Sequence, residues 1–321
     1  MVHNVGELPP GPQGYPCDPH RQPELHHFLD LPPGPSTLSG VNSDEGTRFR
    51  LTLHYDGSGF SGWQLQPRAR TVQGEVERAI GRLTGGRRPV VAAGRTDSGV
   101  HATGQVATVA LPNEWKDRIR ELHRGLNALL PGDIWVQELR ETSPEFHPRF
   151  HATGRSYRYQ VGIRPEANSP FHRPWCWPVE EEMEVDLLHR CAALLPGEGS
   201  FRAFAKAGQE HRGDRCRVEE AGWGRWEEVG LAFQISANRF LHHMVRYLVG
   251  TMVDVARHRR GLEEVVELLA RPHTDLVTSP PAPPQGLFLT GVAYAGEEEP
   301  ESPEGRKPGS RVTPRPSSPL D

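Results

Sequence analysis

The sequence has little cysteine, no long apolar run and no surplus of positive charge, and each shortage removes a class of protein. Its four cysteines, Cys17, Cys176, Cys191 and Cys216, are scattered through 321 residues, and none forms a Cys-x-x-Cys pair. Neither a disulfide framework nor a cysteine-based zinc site is indicated, and a reducing cytoplasm is the expected compartment. The tandem histidines His26-His27 and His242-His243 also lack cysteines at ligand spacing. No stretch approaches the ~18 consecutive apolar residues of a membrane helix, so no membrane contact is expected. The first 44 residues lack a basic start and an apolar centre, so no secretory signal is expected. The formal net charge is −4. A protein that coats nucleic acid without specificity is basic overall, so any RNA contact here must come from a local basic surface. The 36% hydrophobic and 24% charged content fits a soluble globular protein, long enough for two modest domains or one large one.

Along the chain, residues 1–46 are rich in Pro, Gly and Asp and read as a flexible tail. The fold is expected to begin at Arg48, where Phe49, Leu51, Leu53 and Tyr55 alternate with polar residues as in a half-buried strand. Asp56-Gly57-Ser58-Gly59 reads as a turn, and Thr71 as the N-cap of a helix that Gly85-Gly86 closes. A strand follows, then the octapeptide Gly94-Arg95-Thr96-Asp97-Ser98-Gly99-Val100-His101, then an alternating strand from Gln105. Gly94 and Gly99 are expected where a Cβ would clash, and a loop held between two strands keeps Asp97 well positioned. Trp115, Ile119, Leu122, Leu126, Leu129 and Leu130 form the stripe of a second helix, with Lys116, Arg120 and Arg124 as a basic ridge. A strand at 134–139 completes a strand-helix-strand-strand-helix-strand order, which suggests a ferredoxin-like half with an antiparallel sheet.

The segment from Phe146 to Ala152, which contains Arg149, links this half to a second one. There Arg155-Ser156-Tyr157-Arg158-Tyr159 alternates as a strand, with Tyr157 and Tyr159 on one face. Residues 223–226 and 231–235 read as a hairpin. Phe240, Leu241, Met244, Val245, Leu248, Val249, Met252 and Val253 read as one long apolar helix, interrupted by Arg246. An Arg among apolar side chains either reaches water or needs a partner. Arg257-His258-Arg259-Arg260 adds to the expected basic surface. A last strand ends at Tyr294, and residues 296–321 read as a disordered tail rich in Glu, Pro and Ser.

Three strings together resemble the tRNA pseudouridine synthase A family: the octapeptide, with Ser98 where the family usually has Ala; Arg155-x-Tyr157-x-Tyr159; and Phe240-Leu241-x-x-Met244-Val245-Arg246. The resemblance spans about residues 47–295, with the motifs in the family's order. It implies an α+β fold of two ferredoxin-like halves, with a central antiparallel sheet, flanking helices and an active-site cleft. The catalytic half would be 47–150 and the C-terminal half 151–295. It further implies conversion of uridine to pseudouridine at positions 38, 39 and 40 of tRNA, by a cytoplasmic homodimer without cofactor or metal. Asp97 takes the place of the nucleophile, Tyr157 lies against the target base, and Arg246 is expected to form a salt bridge with Asp97. Arg95 and Arg149 are expected to contact the RNA. A carboxylate suits the reaction either by adding to the base or by stabilising a cation at the sugar, and the sequence leaves both open.

Two rivals compete. Asp97-Ser98-Gly99 matches the signature of an aspartic peptidase, but that chemistry needs two such carboxylates and the chain has no second Asp-Ser/Thr-Gly. A structured-RNA-binding protein without catalysis is the other, since ferredoxin-like sheets also serve binding alone.

Overall fold

The computed structural model describes residues 46–206, 213–271 and 275–297. Both expected tails therefore lie outside the described residues, apart from a few residues at their inner ends.

In the first half, alternation and capping produce the expected elements. Strand β1 (Thr47–Tyr55) buries Phe49, Leu51, Leu53 and Tyr55. Helix α1 (Val72–Thr84) starts where the Thr71 hydroxyl accepts from the Gly74 N–H and stops at Gly85 in the left-handed region. After β2 (Val91–Ala92) and β3 (His101–Leu111), Trp115 falls in a 3-10 turn before α2 (Ile119–Leu129). Strand β4 (Ile134–Glu141) follows. The strands lie in the order β4-β1-β3, with β2 beside β3 and every pairing antiparallel. This is the ferredoxin-like order. Helices α1 and α2 cover one face with Val76, Ile80, Leu122 and Leu126.

The second half repeats the plan. Its elements are β5 (Ala152–Gly162), β6 (Trp177–Pro178), α3 (Val185–Ala192), β7 (Gly197–Ser200), β8 (Arg215–Trp226), β9 (Gly230–Ala237), α4 (Met244–Ala256), α5 (Leu262–Ala270) and β10 (Leu287–Tyr294). The strand order is β10-β5-β9-β8-β7, antiparallel throughout, with β6 lying parallel beside β5. Its own core gathers Leu188, Phe201, Phe233, Leu248 and Met252. Among the described residues no helix is long and apolar enough to cross a membrane.

The two half-sheets join where β3 runs parallel to β10, with His101 opposite Phe288 and Ala102 opposite Leu289. One continuous sheet results. The octapeptide ends on His101, so the Asp97 loop enters the sheet at this seam. Tyr157, on β5 opposite Leu289, packs against the cores of both halves.

Three expectations about charge and helix limits do not hold. Lys116 sits in the 3-10 turn and pairs with Glu141 at 3.0 Å, so it is not part of a ridge on α2. The basic run after α4 is largely neutralised: Arg257 and Arg259 both bind Glu181, Arg260 binds Glu264 at 2.8 Å, and His258 lies 3.2 Å from Glu184. Finally, α4 begins at Met244, so Phe240 and Leu241 precede it.

Candidate active site

The Asp97 loop is held by the segment just after β1. The Trp63 N–H donates to the Thr96 carbonyl at 3.0 Å, and the Ser98 hydroxyl donates to the Phe60 carbonyl at 3.2 Å. The buried Thr96 hydroxyl meets the Tyr55 hydroxyl at 2.8 Å, and the Gln105 amide donates to the Gly94 carbonyl at 2.9 Å. The close approach runs through Gly62, whose φ is +86°; a Cβ there would stand 2.7 Å from the Thr96 carbonyl oxygen. Gly99 also has positive φ and lies against Pro284, as its expected role requires. Gly94 does not: its φ is ordinary and a Cβ would meet nothing within 4 Å. The glycine that lets this loop be approached is therefore outside the octapeptide. Trp63 is buried core, beside Tyr55.

His101 fixes the loop's far end. Its Nδ1 accepts from the Gly57 N–H at 3.0 Å and its Nε2 donates to the Gln285 carbonyl at 3.1 Å, while Phe288 stacks on the ring. Burial pushes its pKa below the ordinary imidazole value, against an opposing pull from Asp56. The neutral tautomer is the one that satisfies both bonds.

Arg155 ties three segments together. Its guanidinium donates to the carbonyls of Ala93, just before the octapeptide, of Arg149 and Ala152 in the linker, and of Asn238, just after β9. The linker and the stretch leading to α4 are thus set beside the Asp97 loop by a single side chain. The planar, five-donor guanidinium is suited to such a role.

The Asp97 side chain remains 29% exposed, within reach of a solvent-borne partner. Its two oxygens are engaged by adjacent imidazoles. His242 Nε2 lies 3.2 Å from Oδ1, and His243 Nε2 lies 3.2 Å from Oδ2. His243 has φ +64°, in the left-handed region, which costs a non-glycine residue about 1–2 kcal/mol. Burial lowers the pKa of His243; the Asp97 charge opposes that, while His242, Arg246 and Lys206 add to it.

The expected salt bridge between Asp97 and Arg246 is not formed. Among the described residues, the partners of Asp97 at ion-pair distance are His242 and His243. Arg246 lies in the first turn of α4 and donates from Nε to the Ala282 carbonyl at 2.7 Å. The two imidazoles occupy that place, next to a left-handed residue immediately ahead of the helix. Arg246 still stands close enough for its charge to act on His243.

Tyr157 is half-buried and meets Phe240 edge to face, with ring centroids 4.9 Å apart. Burial pushes its phenol up to about 12; Arg155 counters the rise and the Asp97 charge adds to it. Asp97, Tyr157, His242 and His243 are thus gathered at the sheet seam, with Arg246 adjoining. Arg95 and Arg149 are exposed, and neither guanidinium has a carboxylate partner among the described residues. Asp97, His242 and His243 are also three groups whose ligand atoms, within 4.8 Å of one another, could hold a metal ion.

Sequence comparison decides the family. The profile described as tRNA pseudouridine synthase matches residues 52–151, which include Asp97, and 191–295, which include His242, His243 and Arg246; Arg155 and Tyr157 fall between the two stretches. The chain belongs to the tRNA pseudouridine synthase family. It is 41% identical over 261 residues to the tRNA pseudouridine synthase A of Solidesulfovibrio magneticus, covering 77% of this chain and 91% of that one. The tRNA pseudouridine synthase A 1 of Protochlamydia amoebophila is 37% identical over 254 residues, 78% of this chain and 97% of that protein. That of Myxococcus xanthus is 37% identical over 262 residues, 82% and 96% respectively. Within this synthase site, the motifs contain Arg155 and Gly62 and span His242 and His243, but the sequence assigned none of the four a role. The tandem histidines stand out in the sequence as a pair, but without cysteines at ligand spacing the pair carries no local sign of a role. Nothing in the local sequence announces a left-handed residue at His243.

Proposed function

We propose that this protein isomerises uridine to pseudouridine in tRNA, at positions 38, 39 and 40 of the anticodon stem-loop, with Asp97 as the nucleophile. One observation carries the reading. The solvent-reachable carboxylate of Asp97 stands at the seam of the two half-sheets, with its charge acting on the Tyr157 phenol, in a chain of the tRNA pseudouridine synthase family. The reaction breaks the bond from N1 to the ribose, turns the uracil and rejoins it through C5. The C5 proton leaves and N1 gains one, so no redox partner or group donor is needed. An ionised carboxylate serves either as the attacking group or as the stabiliser of a sugar cation.

A uridine in a stem must leave the stack first, which costs a few kcal/mol. Tyr157 offers its ring to the everted base. With its pKa near 12, the phenol is protonated at neutral pH and serves as a hydrogen-bond donor. Accepting the C5 proton would require the bound RNA to change its surroundings. Exposed Arg95, two residues from Asp97, suits the vacated space and a phosphate; Arg149 in the linker suits a second backbone contact. Arg246 acts on the site through the field it places on His243. The catalytic loop belongs to the half at 47–150 and the base-facing strand to that at 151–295. The enzyme works in the cytoplasm as a homodimer, which lets one tRNA touch two subunits. The test is incubation of the protein and of Asp97→Asn with unmodified tRNA, followed by mapping of pseudouridine. The wild type modifies the anticodon stem-loop; the variant binds tRNA and modifies nothing.

A further inference from the structure

We propose that His242 and His243 are positioning residues for the Asp97 carboxylate: His242 donates from Nε2 to Oδ1, and His243 sets its ring nitrogen 3.2 Å from Oδ2, closing the other side. The inference rests on the reading of Asp97 as the nucleophile and adds a role for the two histidines. Adjacent side chains diverge in ordinary backbone: they point to opposite faces of a strand and stand well apart around a helix. Here they converge on one small group at equal distances of 3.2 Å, with ring centroids 4.1 Å apart. The convergence coincides with the left-handed conformation at His243 immediately before α4. Strained residues of this kind persist where the surroundings over-determine them, commonly at active sites.

The donor geometry has a specific consequence. A carboxylate bonded at Oδ1 and flanked by a ring at Oδ2 is restricted in rotation about its Cβ–Cγ bond, so its lone pairs present a preferred direction to the everted nucleotide. The His242 bond forms with a neutral imidazole in the Nε2–H tautomer, so the arrangement does not require a second charge. The oxygen held by His242 is on the more open side, since the His242 side chain is 33% exposed and that of His243 17%.

The substitutions that test this follow from atom positions. A glutamine amide nitrogen reaches the place of Nε2; phenylalanine keeps the ring volume without a donor; asparagine tolerates the left-handed backbone but is too short to reach Oδ2. Single-turnover rates with saturating unmodified tRNA are measured for H242F, H242Q, H243F, H243Q and H243N, alongside tRNA affinity. The Phe variants, and H243N, are expected to lose about 10²-fold in rate, the scale for loss of alignment at a reacting group, with affinity unchanged. The Gln variants are expected to recover most of that loss. Unchanged rates in H242F and H243F overturn the proposal while leaving the assignment of Asp97 intact. A full rate in H243N shows that only the backbone conformation matters, and also overturns it for His243. Loss of wild-type turnover on treatment with a chelator, restored by a divalent cation, replaces the clamp with a metal site. Absence of pseudouridine from the wild type itself is the separate failure of the functional reading.

Discussion

Replacing Gly62 by alanine should damage the Asp97 loop from outside it, and the size of the effect follows from geometry. Gly62 has φ +86°, and a Cβ there stands 2.7 Å from the Thr96 carbonyl oxygen and 3.2 Å from the Asp97 carbonyl carbon and the Ser98 nitrogen. The left-handed conformation costs alanine about 1–2 kcal/mol. Forcing a methyl into packed backbone adds about 1–3 kcal/mol, so the variant loses about 2–5 kcal/mol. At about 2–4 °C per kcal/mol for a domain of this size, Tm falls by roughly 4–20 °C. The chain can relieve the clash by moving the loop, and a displacement near 1 Å at the reacting group costs about 10²-fold in rate. Gly85→Ala separates the two effects. Gly85 has φ +75° with nothing within 4 Å of a Cβ, so it bears the conformational cost alone, without touching the Asp97 loop. It should lose only about 1–2 kcal/mol and keep full activity. Gly94→Ala has neither cost and should match the wild type in stability or exceed it by about 0.4–1 kcal/mol. Thermal denaturation and pseudouridine formation on the three variants, measured together, test this. A Gly62→Ala protein with the Tm and activity of Gly85→Ala would refute the reasoning.

Two further outcomes follow from single side chains. Arg95→Ala should weaken binding to all tRNAs alike and reduce the slope of log affinity against log salt by about 1, as loss of one phosphate contact requires; an unchanged slope excludes that contact. His101 has a folded pKa below its unfolded value of about 6.5. As pH falls through that value the unfolded chain takes up a proton that the folded protein refuses, so the stability His101 provides is present above pH 6.5 and lost below it. The Tm difference between the wild type and His101→Gln should therefore shrink from pH 8 to pH 5; a constant or widening gap contradicts a neutral buried His101.

Much of the fold could be read from residues whose signals are local. Alternation in β1, the Thr71 cap and the Gly85 stop specify their elements without help from distant parts of the chain. The strand order within each half follows from the alternation of strands and helices, and the octapeptide identified the loop that carries the site. What escaped the sequence depends on where chain segments meet. The apolar spacing from Phe240 to Val253 runs straight through the helix start, because periodicity does not register one left-handed residue at His243. The same backbone turn brings the histidines, rather than Arg246, to Asp97. Gly62 matters because a different segment lies against it, and a sequence shows the glycine without its neighbour. The basic run at 257–260 looked like a nucleic-acid surface because its partners, Glu181 and Glu184, lie more than seventy residues away.

The central claim is that the carboxylate at residue 97 performs the isomerisation. Quantitative mapping of pseudouridine in unmodified tRNA, after incubation with the wild type and with Asp97→Asn at equal tRNA occupancy, tests it most directly. Pseudouridine in the anticodon stem-loop from the wild type, and none from the variant, is the result predicted. Turnover by Asp97→Asn at a rate near that of the wild type would contradict it.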